Sequence, residues 1–414
     1  DHFNPGLALF ACLFWITSDL RILLIQQALA IALTTVLFFF TAKKLGLNKI
    51  ASLTVSIAYL IFAGTLNPLV TDWHPESTIG LLLLLFFYFF NFTKKTWIYS
   101  IIFILFLSLK ESNAISFLFI SIFLFFKVPE KRKQTLVFSV ISLIYFFVTT
   151  RLIIPLFSTH SYIYSPEIPY NPISLIQNFF NSEQKISLIK NSFQSFGFLP
   201  LVSGIGLLLP LSELAIRLVP DKTIFNNISL GQHYNVILSI FFGISTIYGL
   251  LNIQKFISKY RINYSKYSVI LLSFLLLSCS LYTARKITGS PINVLTNPIF
   301  VKQFSGDPII KEISKKIPDK GSVMAQNNLL SYASNRTDQI YLLNRNYQSK
   351  EADIIMFDLR DGQNINNYYG SSKSDILELK EIILKDPMYT RIEVSQPDVY
   401  LFQKIKRMKR KIKV

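Results

Sequence analysis

Apolar and polar residues along this chain alternate in long blocks, not at the three-to-four spacing of an amphipathic helix. The blocks Arg21–Ala42, Ile50–Leu66, Thr78–Phe90, Trp97–Leu109, Ala114–Phe126, Gln134–Phe157 and Tyr267–Thr283 predict helices in a bilayer. A further span runs from Gly231-Gln232-His233-Tyr234 to Leu251. Several blocks are shorter than the ~20 residues a straight crossing needs, so packing and tilt set their ends. Gly6–Thr17 is too short to cross and predicts an interfacial or re-entrant helix. Phe196–Val219, interrupted by Pro200 and Pro210, predicts a re-entrant hairpin or two very short helices.

After Arg285 the pattern changes. Ser322–Ala325, Gln339–Leu343, Ala352–Asp358 and Val399–Phe402 have strand length and strand composition. Asp307–Lys316 and Ser374–Lys385 predict helices, and Asp361-Gly362 a turn. The fold class is therefore mainly α: a polytopic transmembrane helix bundle over residues 1–284, followed by a small soluble α/β domain over 285–414.

The connections between blocks give an orientation. Loops 43–49, 94–95, 127–133 and 255–266 are rich in Lys and Arg, which places them in the cytoplasm. Alternation then puts Asp1–Asn4, Asp72–Ser77, Lys110–Asn113 and the long loop Ser158–Ser195 on the outer face of the cell membrane, and the α/β domain with them. The basic ending Lys404–Lys411 argues for the cytoplasm, but long domains are largely exempt from the charge rule.

Composition sharpens this picture in three respects. Of 414 residues, 51% are hydrophobic and only 16% charged, well below the ~25% charged residues of a soluble protein. The net charge of +18 sits largely in short loops between apolar blocks, which excludes nucleic acid as the partner and leaves the lipid bilayer. Cys12 and Cys279 lie in apolar blocks without ligand spacing, so no zinc site is predicted from them. The chain opens on Asp1-His2-Phe3-Asn4-Pro5 without an initiator Met, and an upstream helix is expected.

The candidate chemistry gathers on the predicted outer face. His2, His74, His160 and His233 all fall there. The stretch Thr71-Asp72-Trp73-His74-Pro75-Glu76-Ser77 packs two carboxylates, an imidazole and an indole into one turn, where charge in so apolar a chain points to a site. Glu76, with His74 and Asp72, can take a proton from a hydroxyl, or Glu76 can simply favour the dipole of the next helix. Lys110-Glu111 can hold a phosphate or form a local ion pair. Arg151, four residues before Pro155, can clamp a phosphate or snorkel to the headgroups. His233-Tyr234 can donate hydrogen bonds to a sugar or phosphate, or belong to the interfacial aromatic belt. Glu213 and Arg217, four apart, are expected to satisfy each other. No Walker loop, Rossmann fingerprint or inverted repeat is present.

Asp1-His2-Phe3-Asn4-Pro5, Asp72-Trp73-His74-Pro75-Glu76, Lys110-Glu111, Thr150-Arg151 with Ile154-Pro155, and Gly231-Gln232-His233-Tyr234 occur in one order. With Ile317-Pro318 and Ser322-Val323-Met324-Ala325, that order resembles the bacterial and archaeal membrane proteins of the DUF2079 family, over essentially the whole chain. The family looks like a branch of the GT-C glycosyltransferases. The resemblance implies inverting transfer of a sugar from a polyprenyl-phosphate donor to an acceptor it does not identify, outside the membrane. Among the residues present, Glu76, His74 and Asp72 are the candidates for the chemistry, and His2, Lys110, Glu111, Arg151, His233 and Tyr234 for binding substrate. No metal ligand and no certain cofactor is implied, although some GT-C members use a divalent ion such as Mg or Mn. Two positions depart from the pattern: the first outer loop that usually carries the catalytic Asp is represented at most by Asp1, and Ser112 stands where members often have Asp. The alternatives are a transporter or flippase of a lipid-linked or small polar solute, and a membrane anchor for the α/β domain.

Overall fold

The computed structural model describes residues 2–17, 19–70, 73–158, 162–164, 167–169, 171–220, 228–230, 233–260, 265–288, 308–318, 320–333, 338–361, 365–368 and 371–405. The chain divides into two compact units, Asp1–Thr296 and Asn297–Val414.

In the first unit, four helices are long and apolar enough to cross a membrane among the described residues: Arg21–Leu45, Pro129–Phe157, Asn235–Tyr260 and Tyr267–Ile287. The first shows how lipid acts as the solvent. Ile25, Leu29, Leu33, Val36 and Phe40 form one exposed stripe, while Gln27, Ala30, Ile31, Thr34, Phe38 and Thr41 turn inward. The small and polar residues of the helix, Gln27, Ala30, Thr34 and Thr41, face the protein beside Ile31 and Phe38, because lipid solvates large apolar side chains as well as the protein interior does. The helix stops at Gly46, whose left-handed φ of 114° lets its N–H close back on Ala42 and Lys43. Two residues later the Asn48 side chain accepts from the Ala51 N–H, 2.9 Å away, and starts Lys49–Ile61.

Lys49–Ile61 does not continue straight. Phe62 takes an extended conformation (φ −60°, ψ 134°), and the following segment leaves at 59°. Phe62 is itself buried among Phe196 and Phe242, so the break is held by packing. The 3₁₀ turn Asn67–Val70 then leads into Trp73-His74-Pro75, and the Pro75 carbonyl starts Glu76–Phe92 by accepting from Thr78 and Ile79. Thr96–Ser108 and Asn113–Lys127 follow as a hairpin whose tip is Lys110-Glu111.

Asn235–Tyr260 is the central element, buried for most of its length and in contact with Glu76–Phe92, Leu208–Leu218, Lys49–Ile61 and Ser265–Tyr282. One glycine makes a close approach possible there. A Cβ on Gly249 would stand 2.2 Å from the Leu199 carbonyl oxygen, which is main chain and cannot rotate away. Gly249→Ala is expected to lower stability by roughly 1–3 kcal/mol, the usual penalty of overpacking, read as an earlier unfolding midpoint in detergent.

The long connection Ser158–Ser195 differs from the expectation of an irregular loop. Pro172–Phe180 and Glu183–Ser195 are helices, capped by Asn171 and Ser182 side chains that accept from Ile173 and Lys185 N–H groups. The caps explain the difference: an Asn-Pro and a Ser-Glu pair are helix starts that the polar surroundings concealed. Phe196–Val219 forms two 3₁₀ turns, Leu199–Val202 and Gly204–Leu207, and one helix, Leu208–Leu218. Pro5–Trp15 is a short apolar 3₁₀ helix.

The second unit contains a five-stranded sheet in the order β2-β1-β3-β5-β4, with β1 Val323–Ala325, β2 Ile340–Leu342, β3 Ile354–Asp358, β4 Tyr389–Ile392 and β5 Val399–Lys404. β1 pairs parallel with β2 and β3, and β5 runs antiparallel between β3 and β4. Every residue of β3 is buried, as a central strand covered on both faces requires. Lys373–Lys385 starts in a capping box of Ser372 and Asp375 and buries Ile376, Leu379 and Ile383. β4 has no counterpart among the predicted strands: it is short, and Thr390 and Arg391 are exposed. Gly362 of the predicted turn lies outside the described residues.

Candidate functional site

The break at Phe62 and the turn at Pro75 bring Trp73, His74 and Glu76 over the open end of the helix Arg21–Leu45. Two adjacent amides of that helix hold the turn in place. Gln27 accepts from the His74 backbone N–H at 2.8 Å and donates to the Pro68 carbonyl at 2.8 Å. Gln26 accepts from the Trp73 indole N–H at 3.1 Å and donates to the Thr78 hydroxyl at 2.6 Å. Neither glutamine was singled out from the sequence. Two amides side by side in an apolar block were the available signal, since buried amides need partners.

Glu76, 6% exposed, is the hub. Its Oε1 accepts from Lys110 Nζ at 3.0 Å and lies 3.7 Å from His233 Nε2. Its Oε2 is buried and has no hydrogen-bond partner among the described residues. The His74 and His233 rings stack at 3.6 Å and 16°, and Tyr234 lies against His233 and beneath the Lys110 ammonium, 5.1 Å from its ring centre. Burial lowers the pKa of His233 to about 4, with the neighbouring Glu76 opposing the shift and His74, Lys110 and His2 adding to it. The His233 ring is therefore neutral at neutral pH. His74, Glu76 and His233 each place a candidate metal-ligand atom within 4.8 Å of the others.

Glu111 turns the opposite way from Lys110 and organises a second cluster. It is fully buried. Its Oε1 pairs with His2 Nδ1 at 2.6 Å and accepts from the Tyr162 hydroxyl at 2.9 Å, and its Oε2 accepts from the Phe3 N–H at 3.0 Å. Tyr164 stacks on His2 at 4.1 Å. Burial and the Glu111 charge raise the Tyr162 pKa, so the phenol remains a donor.

His233 and Tyr234 are fixed from behind. Arg217 donates to Asn235 Oδ1 at 2.5 Å and to the Tyr234 carbonyl, and lies 3.7 Å from Glu213, which accepts from Ser116. The expected Glu213–Arg217 partnership is thus present, and it also supports the site.

Of the sequence candidates, His2, His74, Glu76, Lys110, Glu111, His233 and Tyr234 come together. Arg151 does not: it sits exposed in the π-helical turn Thr149–Ile153, and among the described residues no hydrogen bond or ion pair joins it to either cluster. Asp72 and His160 lie outside the described residues.

Beside the Glu76 cluster runs an apolar groove of about 260 Å³, lined by Leu9, Phe10, Leu13, Leu82, Leu105 and Leu109 together with Gln26 and Thr78. Leu109 precedes Lys110, and Thr78 follows Glu76 by two residues, so the same elements build the polar cluster and the groove.

Residues 1–383 match the model of the family described as predicted membrane protein (DUF2079), and the chain belongs to that family. No curated protein matches it.

Proposed function

We propose, from that membership and this geometry, that the protein is a membrane glycosyltransferase. It transfers a sugar, with inversion, from a polyprenyl-phosphate donor to an acceptor hydroxyl on the extracytoplasmic face of the cell membrane. The observation that carries this reading is the junction of a polar, histidine-rich cluster that holds the Lys110 ammonium with an apolar groove built by the same elements. An anionic headgroup on a long hydrocarbon chain is the ligand class that satisfies both halves.

In this reading Lys110 neutralises the phosphate that departs, helped by hydrogen bonds from the His74 and His233 rings. The acceptor hydroxyl donates to the free Oε2 of Glu76 and attacks the anomeric carbon. The bond from that carbon to the phosphate oxygen breaks, the lipid phosphate leaves with the electron pair, and the carboxylate receives the proton late in the step. Asp72, four residues before Glu76 in the sequence, is the second carboxylate of the proposal. His2, Glu111 and Tyr162 shape the outer wall, and Arg151 is assigned to the headgroup region instead of the donor phosphate.

The test uses the full-length protein in lipid nanodiscs with a chelator present. Polyprenyl phosphate is expected to bind wild type at least tenfold more tightly than Lys110→Met. Leu105→Trp, which fills the groove, is expected to weaken polyprenyl phosphate and leave inorganic phosphate unchanged. Glu76→Gln is expected to keep binding and lose transfer. Failure of folded wild type to bind polyprenyl phosphate sinks the proposal.

A further inference from the structure

We propose that His74, Glu76 and His233 form a binding site for one divalent transition-metal ion of the zinc class. Three observations converge on it. The candidate ligand atoms of the three residues lie within 4.8 Å of one another. Ligands of one zinc ion, at bonds of 2.0–2.1 Å, stand roughly 3.4 Å apart in a tetrahedron, so closure needs the side-chain tips to move by about an ångström and the stacked imidazoles to turn until their in-plane lone pairs converge. Second, Glu76 Oε2 is buried, carries a share of a full charge and has no partner among the described residues. A buried carboxylate oxygen left without a hydrogen bond is expensive, and a bound cation relieves it as a hydrogen-bond donor would. Third, each ligand is held by structure that does not depend on an ion. Gln27 grips the His74 backbone, Pro75 sets Glu76 at a helix start, and Arg217 fixes Tyr234 and Asn235 next to His233.

The donor set names the metal class. Two imidazole nitrogens and one carboxylate suit zinc and its neighbours, and three protein ligands leave a position open for a water or a substrate oxygen. Magnesium and calcium prefer all-oxygen shells and do not fit two imidazoles. Spacing along the chain could not reveal this set, because His233 lies far from His74 and Glu76 in sequence.

Lys110 gives the inference a signature. Its ammonium holds Glu76 Oε1 at 3.0 Å and competes with any cation through like-charge repulsion. Removing that charge should tighten metal binding, whereas a plain hydrogen-bonded cluster would gain no affinity for metal. With an ion bound, Glu76 Oε2 is a ligand and no longer free to accept a proton from an acceptor hydroxyl.

The experiment uses full-length protein purified without a polyhistidine tag, stripped with chelator and shown to be folded. Equilibrium dialysis against Zn²⁺ or Mg²⁺, without lipid or sugar, is read by elemental analysis. The expected result is one Zn²⁺ per chain and no comparable Mg²⁺ uptake, at least tenfold weaker Zn²⁺ binding in His74→Ala and His233→Ala, and tighter binding in Lys110→Met. Substoichiometric uptake by folded wild type overturns the proposal, as does equal uptake by the His74→Ala/His233→Ala double variant. Should the histidine variants not fold, Co²⁺ in the wild type decides: intense visible bands of a four- or five-coordinate ion support the site, and the pale spectrum of an octahedral aquo-like ion overturns it. Because metal is measured without lipid and lipid phosphate with chelator, either result can fail without the other.

Discussion

Arg217→Leu should destabilise the helical unit by about 3–5 kcal/mol, the range for removing one partner of a buried pair. Arg217 and Glu213 are each only 5% exposed, so the substitution leaves a carboxylate in a low-dielectric interior with the Ser116 hydroxyl as its described hydrogen-bond partner. The Tyr234 carbonyl and Asn235 also lose their donor. The double variant Glu213→Leu/Arg217→Leu should recover part of the loss, because no unpaired charge remains. Unfolding midpoints in detergent for the two single variants and the double variant close the cycle. A double variant less stable than the sum of the singles would contradict the account. Ligand binding should fall with Arg217→Leu even under conditions where the chain stays folded, since Tyr234 underlies Lys110.

Glu111→Ala has the second-largest expected effect. Its carboxylate ties together three distant segments: the N-terminal residues His2 and Phe3, the hairpin tip, and Tyr162 of the long connection. Hydrogen bonds to a charged group contribute about 1.5–3 kcal/mol each, so a loss of roughly 3 kcal/mol or more is expected, with Glu111→Gln intermediate. The same group gives a pH dependence. Burial pushes its pKa up, but the His2 hydrogen bond, the His2 charge and the backbone N–H groups outweigh burial and hold it below the ordinary value. A carboxyl with a lowered folded-state pKa contributes stability that is complete above its unfolded pKa of about 4.3 and is lost as pH falls through the folded value. The wild-type midpoint should therefore drop on acidification below about pH 4.5, more steeply than that of Glu111→Gln. Parallel curves for the two proteins would remove Glu111 from the explanation.

These two residues also show what the sequence could and could not reveal. Helix blocks were readable because lipid-facing helices are apolar throughout, and charge asymmetry sorted their loops. That sorting placed His2, His74, Glu76, Lys110 and His233 on one predicted face, and the fold gathers them. Pairing was not readable. Lys110 and Glu111 are chain neighbours and suggest a local ion pair, yet a tight turn points adjacent side chains apart, so Lys110 meets Glu76 and Glu111 meets His2. Gln26 and Gln27 were hidden because their block is long enough to cross whatever two amides do. Arg151 shared the helix-end motif but not the place, since it faces outward from its turn.

The central position of Asn235–Tyr260 has a consequence for how the protein is made. The helices that surround it include Lys49–Ile61, Glu76–Phe92 and Leu208–Leu218, all synthesised earlier. Their packing against it can be completed only after it has been made. Asn235, which anchors Arg217, arrives only with that helix. A nascent chain stopped before residue 235 thus holds the Arg217 guanidinium and the Glu213 carboxylate without that neighbour. The Glu213–Arg217 pair gains its full set of partners only once the central helix is in place.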